Sequence, residues 1–158
     1  MEKYWDSKIS YLEEFPGVSN ADSESIVTTN GCFDVFHFGH LMSLYRTSQL
    51  ANKLIVGINS DESVSRIKGP RRPVCTEYQR ASIIASLPFV EQVVIFNEDT
   101  PVRFLENVRP LIHCKGEDYR DRLQTIPEYE LLAQWGGRIE LIPLEKDLST
   151  TRVIELFR

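Results

Sequence analysis

No stretch of the sequence approaches the roughly 18–20 consecutive apolar residues that a membrane-crossing helix needs. The opening MEKYWDSKISYLEEFPG mixes charged with apolar residues and lacks the apolar core of a secretion signal. Basic residues are in the minority, 18 Lys and Arg against 23 Asp and Glu, for a net charge of −5. A general nucleic-acid binder carries the opposite excess, so nucleic acid is not an expected partner, and neither is a membrane. Cysteine is scarce and odd in number, with Cys32, Cys75 and Cys114 far apart. That fits a reducing cytosol better than a disulfide framework, so a cytoplasmic protein is expected. No G-x-G-x-x-G turn follows the first apolar run, which argues against a dinucleotide-binding oxidoreductase. Histidine is as rare as cysteine, yet two of the three histidines fall in one short stretch, NGCFDVFHFGH, from Asn30 to His40.

The 158 residues suffice for one domain with a proper core. The first 24 residues read as an amphipathic helix ended near Pro16-Gly17, then a polar linker, VSNADSES. From Ser25 to the end, short apolar runs alternate with amphipathic stretches of helical length. SIVTT, KLIVGIN, EQVVIF, PLIHC and RIELIPL read as strands. GHLMSLYRTSQLA, TEYQRASIIASL, DTPVRFLENV, PEYELLAQW and STTRVIELF read as helices, the second opened by a capping box between Thr76 and Gln79. Five β-α units predict an α/β fold: a single-domain, doubly wound, Rossmann-like parallel sheet of five strands over residues 25–158. Ligands of such sheets bind beyond the carboxyl ends of the strands.

Five stretches could carry chemistry there. In the first, Gly31 permits a close backbone approach, and His37 and His40 lie about one turn apart at a helix start, where free N–H groups suit phosphate. They can equally be capping or core histidines. A zinc site from Cys32, His37 and His40 matches no common ligand spacing and lacks a fourth ligand. In the second, SRIKGPRRPV gathers Arg66, Lys68, Arg71 and Arg72 in a basic, turn-rich loop that suits a polyphosphate or simply solvent. The third is Arg80, whose helix face also holds Ile83, Ile84 and Leu87; a half-buried guanidinium needs an anion, either a carboxylate or a phosphate. In the fourth, HCKGEDY, Lys115 stands at a strand end, with His113 and Cys114 expected inside the strand. In the fifth, Ser149, Thr150 and Thr151 open the last helix with three hydroxyls where one would cap it.

Taken in order, TNGCFDVFHFGH, NSDESVSRIKGPRRPV, EDTP, KGEDY and STTRVI resemble the H-x-G-H nucleotidyltransferase superfamily. They are most similar to the adenylyltransferase domain of bacterial heptose-phosphate enzymes. The resemblance runs from about Ser25 to Phe157. It implies in-line attack by a phosphate oxygen on the α-phosphorus of a nucleoside triphosphate, with pyrophosphate leaving, Mg²⁺ as cofactor and no covalent intermediate. The implied substrates are a nucleoside triphosphate, ATP first, and a sugar 1-phosphate of the heptose type. Relatives are commonly dimers, so a homodimer is implied. His37, His40 and Lys68 take the catalytic positions. Asn30, Gly31, Cys32, Phe33, Arg80, Lys115, Ser149, Thr150 and Thr151 take the nucleotide side, and Asp34 and Asp118 the acceptor side. No residue set is implied as a protein-built metal site.

The chain departs from the family pattern at Asp147-Leu148, where Gly-Cys is common, and at Arg152, where Asn is common. The nucleobase is therefore open. A cytidylyltransferase acting on glycerol 3-phosphate or another alcohol phosphate is the alternative. A non-catalytic nucleotide-sensing domain would be signalled by loss of a motif histidine or of Lys68, and all three are present. H-x-G-H also occurs in tRNA synthetases, but the chain is short and acidic for that role. The sugar kinase often fused to the heptose domain has no counterpart here, so a stand-alone domain that takes a ready-made sugar phosphate is expected.

Overall fold

The computed structural model describes residues 1–145 and 150–155. Its strands are β1 (Ile9–Tyr11), β2 (Ile26–Gly31), β3 (Lys53–Asn59), β4 (Gln92–Phe96), β5 (Ile112–Gly116) and β6 (Arg138–Ile142). Its helices are α1 (Asn20–Ser23), α2 (Phe38–Ser48), α3 (Asp61–Lys68), α4 (Glu77–Ala85), α5 (Val102–Val108), α6 (Pro127–Ala133) and α7 (Thr150–Glu155). Two 3-10 segments, Asp6–Lys8 and Glu117–Thr125, complete the described elements. The strands form one sheet in the order β1-β4-β3-β2-β5-β6, and every neighbouring pair is parallel. No helix among the described residues is long and apolar enough to cross a membrane.

A parallel sheet with helices on both faces must be apolar on both faces. β3 meets that demand, with every residue from Leu54 to Asn59 buried. On one face Val27, Val56 and Ile58 pack with Leu44 of α2 and Ala81, Ile84 and Ala85 of α4. On the other, Ile55, Val94 and Phe96 pack with Phe104, Leu105 and Val108 of α5. The sheet is thus doubly wound, as the alternating pattern predicts. The capping box of α4 is present in both directions: Gln79 N–H donates to Thr76 Oγ1 at 3.3 Å, and Thr76 N–H to Gln79 Oε1 at 2.9 Å.

The sheet has six strands where the pattern predicts five. The extra strand is β1, in the segment read as an amphipathic helix. Its residues pair in parallel with β4, Ile9 opposite Val93 and Tyr11 opposite Ile95. Leu12 and Phe15 are buried just past the strand's end. The physical reason is tertiary: the β4 edge is apolar and needs a cover, and a three-residue strand has too little pattern to announce itself. Within the stretch read as linker, Ser19 caps the single turn of α1. The basic loop also begins later than its sequence suggests. Arg66 and Lys68 lie on α3, and Gly69 ends that helix in a left-handed conformation, φ 101°. The expected cap, Ser149, lies outside the described residues.

The order places β2 at the centre, between β3 and β5. The chain leaves β2 toward one edge and returns to build the other, so a crevice opens above the carboxyl ends of β2 and β5. Gly57 on β3 lets α5 close against the sheet: a Cβ there would meet the Phe104 ring at 2.9 Å and the Phe96 ring at 3.1 Å. Gly57→Ala is therefore expected to destabilise the fold by about 1–3 kcal/mol. Urea denaturation would show this as a lower midpoint at unchanged m-value.

Candidate active site

A cleft of about 680 Å³ opens at that crevice. Asn30, Gly31, Cys32, Phe33, Asp34, His37 and His40 line it from the end of β2 and the start of α2. Lys68 reaches it from α3, Lys115 from the end of β5, Asp118 from the 3-10 segment and Thr151 from α7. These eleven residues were singled out in the sequence, and the fold brings them together. Thr150 opens α7, and Ser149 lies outside the described residues.

The two histidines are held by the backbone. His37 caps α2, its Nδ1 accepting from Gly39 N–H at 3.1 Å. His40 Nδ1 accepts from His37 N–H at 3.4 Å, and the two rings stack with centroids 3.8 Å apart. A backbone N–H can only donate, so each Nδ1 is an acceptor and each neutral ring carries its proton on Nε2. Burial lowers the pKa of His37. Burial, then the neighbouring His37, push that of His40 down to about 4, against a small opposing pull from Asp34. Both rings are therefore neutral at pH 7 and present Nε2–H donors. His37 Nε2 is buried with no hydrogen-bond partner among the described residues. It is a donor awaiting an acceptor, since a lone buried donor is costly to a fold that gains nothing from it.

The turn before α2 is strained. Phe33 and Val35 both adopt left-handed backbone conformations, φ 51° and 50°. Such conformations cost of order 1–3 kcal/mol each, and most for a β-branched residue. Between them Asp34 is buried, and its carboxylate accepts from Arg72 Nε at 2.6 Å, Val74 N–H at 2.9 Å and Cys75 N–H at 3.0 Å. Burial alone would raise its pKa; the Cys75 and Val74 N–H groups and Arg72 outweigh it and hold the pKa below the usual carboxylate value. Asp34 thus anchors the 69–75 loop to the turn and stays an anion. Gly31 serves the same turn, since a Cβ there would sit 3.1 Å from the Phe33 ring. That ring in turn packs edge-on against His40 at 5.4 Å.

Arg80 does not line the cleft. It lies beneath it, 1% exposed, and donates to the carbonyls of Cys75, Cys32 and Asn59 and to the Asp61 carboxylate, at 2.7–3.0 Å. The anion it requires is a carboxylate of the chain. Ile84 is buried beside it as expected, whereas Ile83 turns outward, 41% exposed. Lys115 is not a free ammonium either: its Nζ lies 2.7 Å from Glu128 Oε1 and 2.8 Å from Asn30 Oδ1. Lys68 is exposed at the rim, with no partner among the described residues. Asp118 is exposed and faces Arg122 at 3.6 Å. Burial raises the Cys32 pKa, with Lys68, Arg80 and Arg72 opposing, so the group is a thiol and a poor nucleophile.

Glu128, Arg122 and Leu144, which no motif of the sequence marks, also line the cleft, as does Tyr119 at the end of KGEDY. EDTP, read in the sequence only as part of the family pattern, places Asp99, Thr100 and Pro101 on the cleft wall. Glu128 carries no local signal, because an acid in the first turn of a helix is ordinary dipole matching.

The chain belongs to the cytidylyltransferase-like family, whose model matches residues 28–156. Membership places it among the nucleotidyltransferases, in agreement with the motifs. It is similar to the bifunctional protein HldE of Syntrophotalea carbinolica, 42% identical over 154 residues, which covers 96% of this chain and 31% of the relative. HldE of Campylobacter jejuni is 44% identical over 151 residues, again 96% of this chain and 32% of the relative. The chain thus spans about a third of the length of these curated relatives. Among solved structures, a lipopolysaccharide core biosynthesis protein from Thermoplasma volcanium superposes with a TM-score of 0.59 at 26% identity, over 77% of this chain and 96% of that one. A pantoate-beta-alanine ligase from Francisella tularensis, TM-score 0.61 at 14% identity over 92% and 75% of the two chains, shares the fold alone.

The lowered histidine pKa values fix the sign of a pH effect. Unfolded, His40 titrates near 6.5 and takes up a proton that the folded chain refuses until about pH 4. Buried His113 is lowered as well. The unfolded state then binds more protons, so stability is full above about pH 6.5 and falls as the pH drops toward 4. Denaturation midpoints from pH 7.5 to 5 should fall, and His40→Gln should flatten the slope.

Proposed function

We propose that the chain transfers a nucleoside monophosphate from a nucleoside triphosphate, ATP first, to a heptose 1-phosphate and releases pyrophosphate. The observation that carries this reading is the pair of neutral imidazoles at the head of α2. Their Nε2–H donors are fixed by backbone N–H groups at the crevice of a doubly wound sheet. A phosphate oxygen of the acceptor attacks the α-phosphorus in line, a new P–O bond forms, and the bond to the bridging oxygen of pyrophosphate breaks. Negative charge grows on the oxygens of the transferred group and of the leaving pyrophosphate. Preorganised donors and cations lower that barrier, and no protein nucleophile is needed. In this reading His37 and His40 donate to the phosphoryl oxygens. Lys68, a cation at the rim with no partner among the described residues, neutralises the reacting centre. Thr150 and Thr151, with Ser149, hold the outer phosphates, and Gly31, Cys32 and Phe33 set the backbone against the nucleotide.

Among the described residues no three His, Cys, Asp or Glu side chains converge to hold a metal ion. The described residues thus offer no cage for Mg²⁺, and in this reading the ion would be held chiefly by the oxygens of the triphosphate. A homodimer is proposed on the family resemblance alone.

Heptose 1-phosphate over glycerol 3-phosphate is supported by the polar groups on the cleft wall. Asp99, Thr100 and Asp118 offer partners to sugar hydroxyls, and a three-carbon acceptor leaves most of them unmatched. The heptose should be preferred by at least roughly tenfold in kcat/KM when each acceptor is assayed with ATP, CTP and GTP. A preference for glycerol 3-phosphate with CTP would replace this reading by the cytidylyltransferase one. With the best substrate pair, His37→Ala and His40→Ala should each lower turnover on the order of 10²–10³-fold. A variant that keeps wild-type turnover removes that histidine from the chemistry.

A further inference from the structure

The floor of the cleft between β2 and β5 holds a chain of buried polar side chains that the reaction above does not use. Thr28 and His113 are fully buried, Glu128 is 3% exposed and Lys115 8% exposed. Lys115 Nζ lies 2.7 Å from Glu128 Oε1 and 2.8 Å from Asn30 Oδ1. His113 Nε2 lies 3.2 Å from the same Asn30 oxygen, and His113 Nδ1 lies 2.8 Å from Thr28 Oγ1.

The donors in this chain can be assigned one after another. An ammonium only donates, so the Asn30 atom facing Lys115 is the amide oxygen. That oxygen only accepts, so His113 Nε2 carries a proton and donates to it. His113 Nδ1 is then the acceptor, and it takes the Thr28 hydroxyl proton. The Asn30 oxygen is held by two donors, and its amide cannot flip without placing N–H groups against an ammonium and an imidazole N–H. The Asn30 NH2 group is thereby turned away from them, and it has no partner among the described residues. Asn30 itself lines the cleft.

We infer that Glu128, Lys115, His113 and Thr28 are positioning residues that lock Asn30 as a hydrogen-bond donor to a neutral acceptor on the bound nucleoside. A neutral acceptor here is a carbonyl oxygen, a hydroxyl oxygen or a ring nitrogen. The acceptor is neutral because the floor is: Glu128 balances Lys115, and His113 carries no charge. Lys115 thus acts through Asn30 and does not meet phosphate. The inference rests on the nucleotidyltransferase reading and adds to it the part of the cleft that grips the nucleoside.

Calorimetric titration of the whole chain with ATP and with CTP, each with Mg²⁺, tests it. Asn30→Ala is expected to weaken the preferred triphosphate roughly tenfold. Glu128→Gln, which keeps the shape and removes the charge, should weaken it about three- to tenfold. The double variant should bind no more weakly than Asn30→Ala alone, because Glu128 acts only through Asn30. In turnover, KM for the triphosphate should rise by a larger factor than kcat falls. Thermal melts check folding, and Thr28→Val, which breaks the chain at its other end, replaces Glu128→Gln in the cycle if that variant does not fold. Unchanged affinity in Asn30→Ala, or losses that multiply in the double variant, would overturn the inference and leave the nucleotidyltransferase reading standing. A wild-type chain that binds neither triphosphate would overturn both.

Discussion

The cleft depends on one buried guanidinium. Arg80 projects from α4 under the carboxyl ends of the central strands and uses four N–H donors on four different acceptors. Three of these are carbonyls, from the turn after β2, the end of β3 and the loop before α4; the fourth is Asp61 at the head of α3. The carbonyls would otherwise be poorly satisfied groups below the cleft, and one planar cation satisfies them and pairs with Asp61 together. Removing it would leave buried carbonyls without donors and free three loops at once. Arg80 therefore sets where the reacting groups stand without touching them.

Above that hub the turn from Cys32 to His37 is held under tension. Left-handed backbone at Phe33 and Val35 is unfavourable by itself, and the Asp34 clamp between them makes it persist. The benefit is geometric: the strained turn delivers His37 to the cap of α2 and packs Phe33 against His40. Charge is also distributed unevenly around the cleft. Toward β5 and β6 the cations are answered by carboxylates, Lys115 by Glu128, Arg122 by Asp118 and Arg46 by Glu145. Toward α3 Lys68 has no such answer among the described residues, so positive potential is left on the side where phosphate is expected.

What was legible in the sequence was what local physics decides. KLIVGIN became β3 residue for residue, because a β-branched run flanked by turn residues has no competing helical reading. The Thr76–Gln79 box marked the start of α4 for the same reason. His37, His40 and Lys68 could be found because their spacing within motifs is itself the signal. The rest depended on partners distant in the chain. β1 exists as a strand because β4 offers it an edge, and three residues are too few to show a strand's alternation by themselves. Arg80 announced that it needed an anion but not which one. Asp34 could be read as orienting either the loop or the acceptor substrate, and its bonds to Arg72 and two backbone N–H groups come from residues some 40 positions away. Glu128 was invisible, since its meaning lies in Lys115 across the sheet end.

The edge strand also bears on how the molecule is made. Tyr4 donates to the Ser86 carbonyl and Lys8 to that of Val90, partners 82 positions further along the chain, and Ile9 pairs with Val93. During synthesis this segment leaves the ribosome long before the surface it needs exists. Closing so long a loop has an entropic cost that only the finished sheet repays. At the ribosome β1 therefore cannot pair until β4 has emerged. Until then the β4 edge is an open template for other chains, and a segment that emerges ahead of β4 is put away after it.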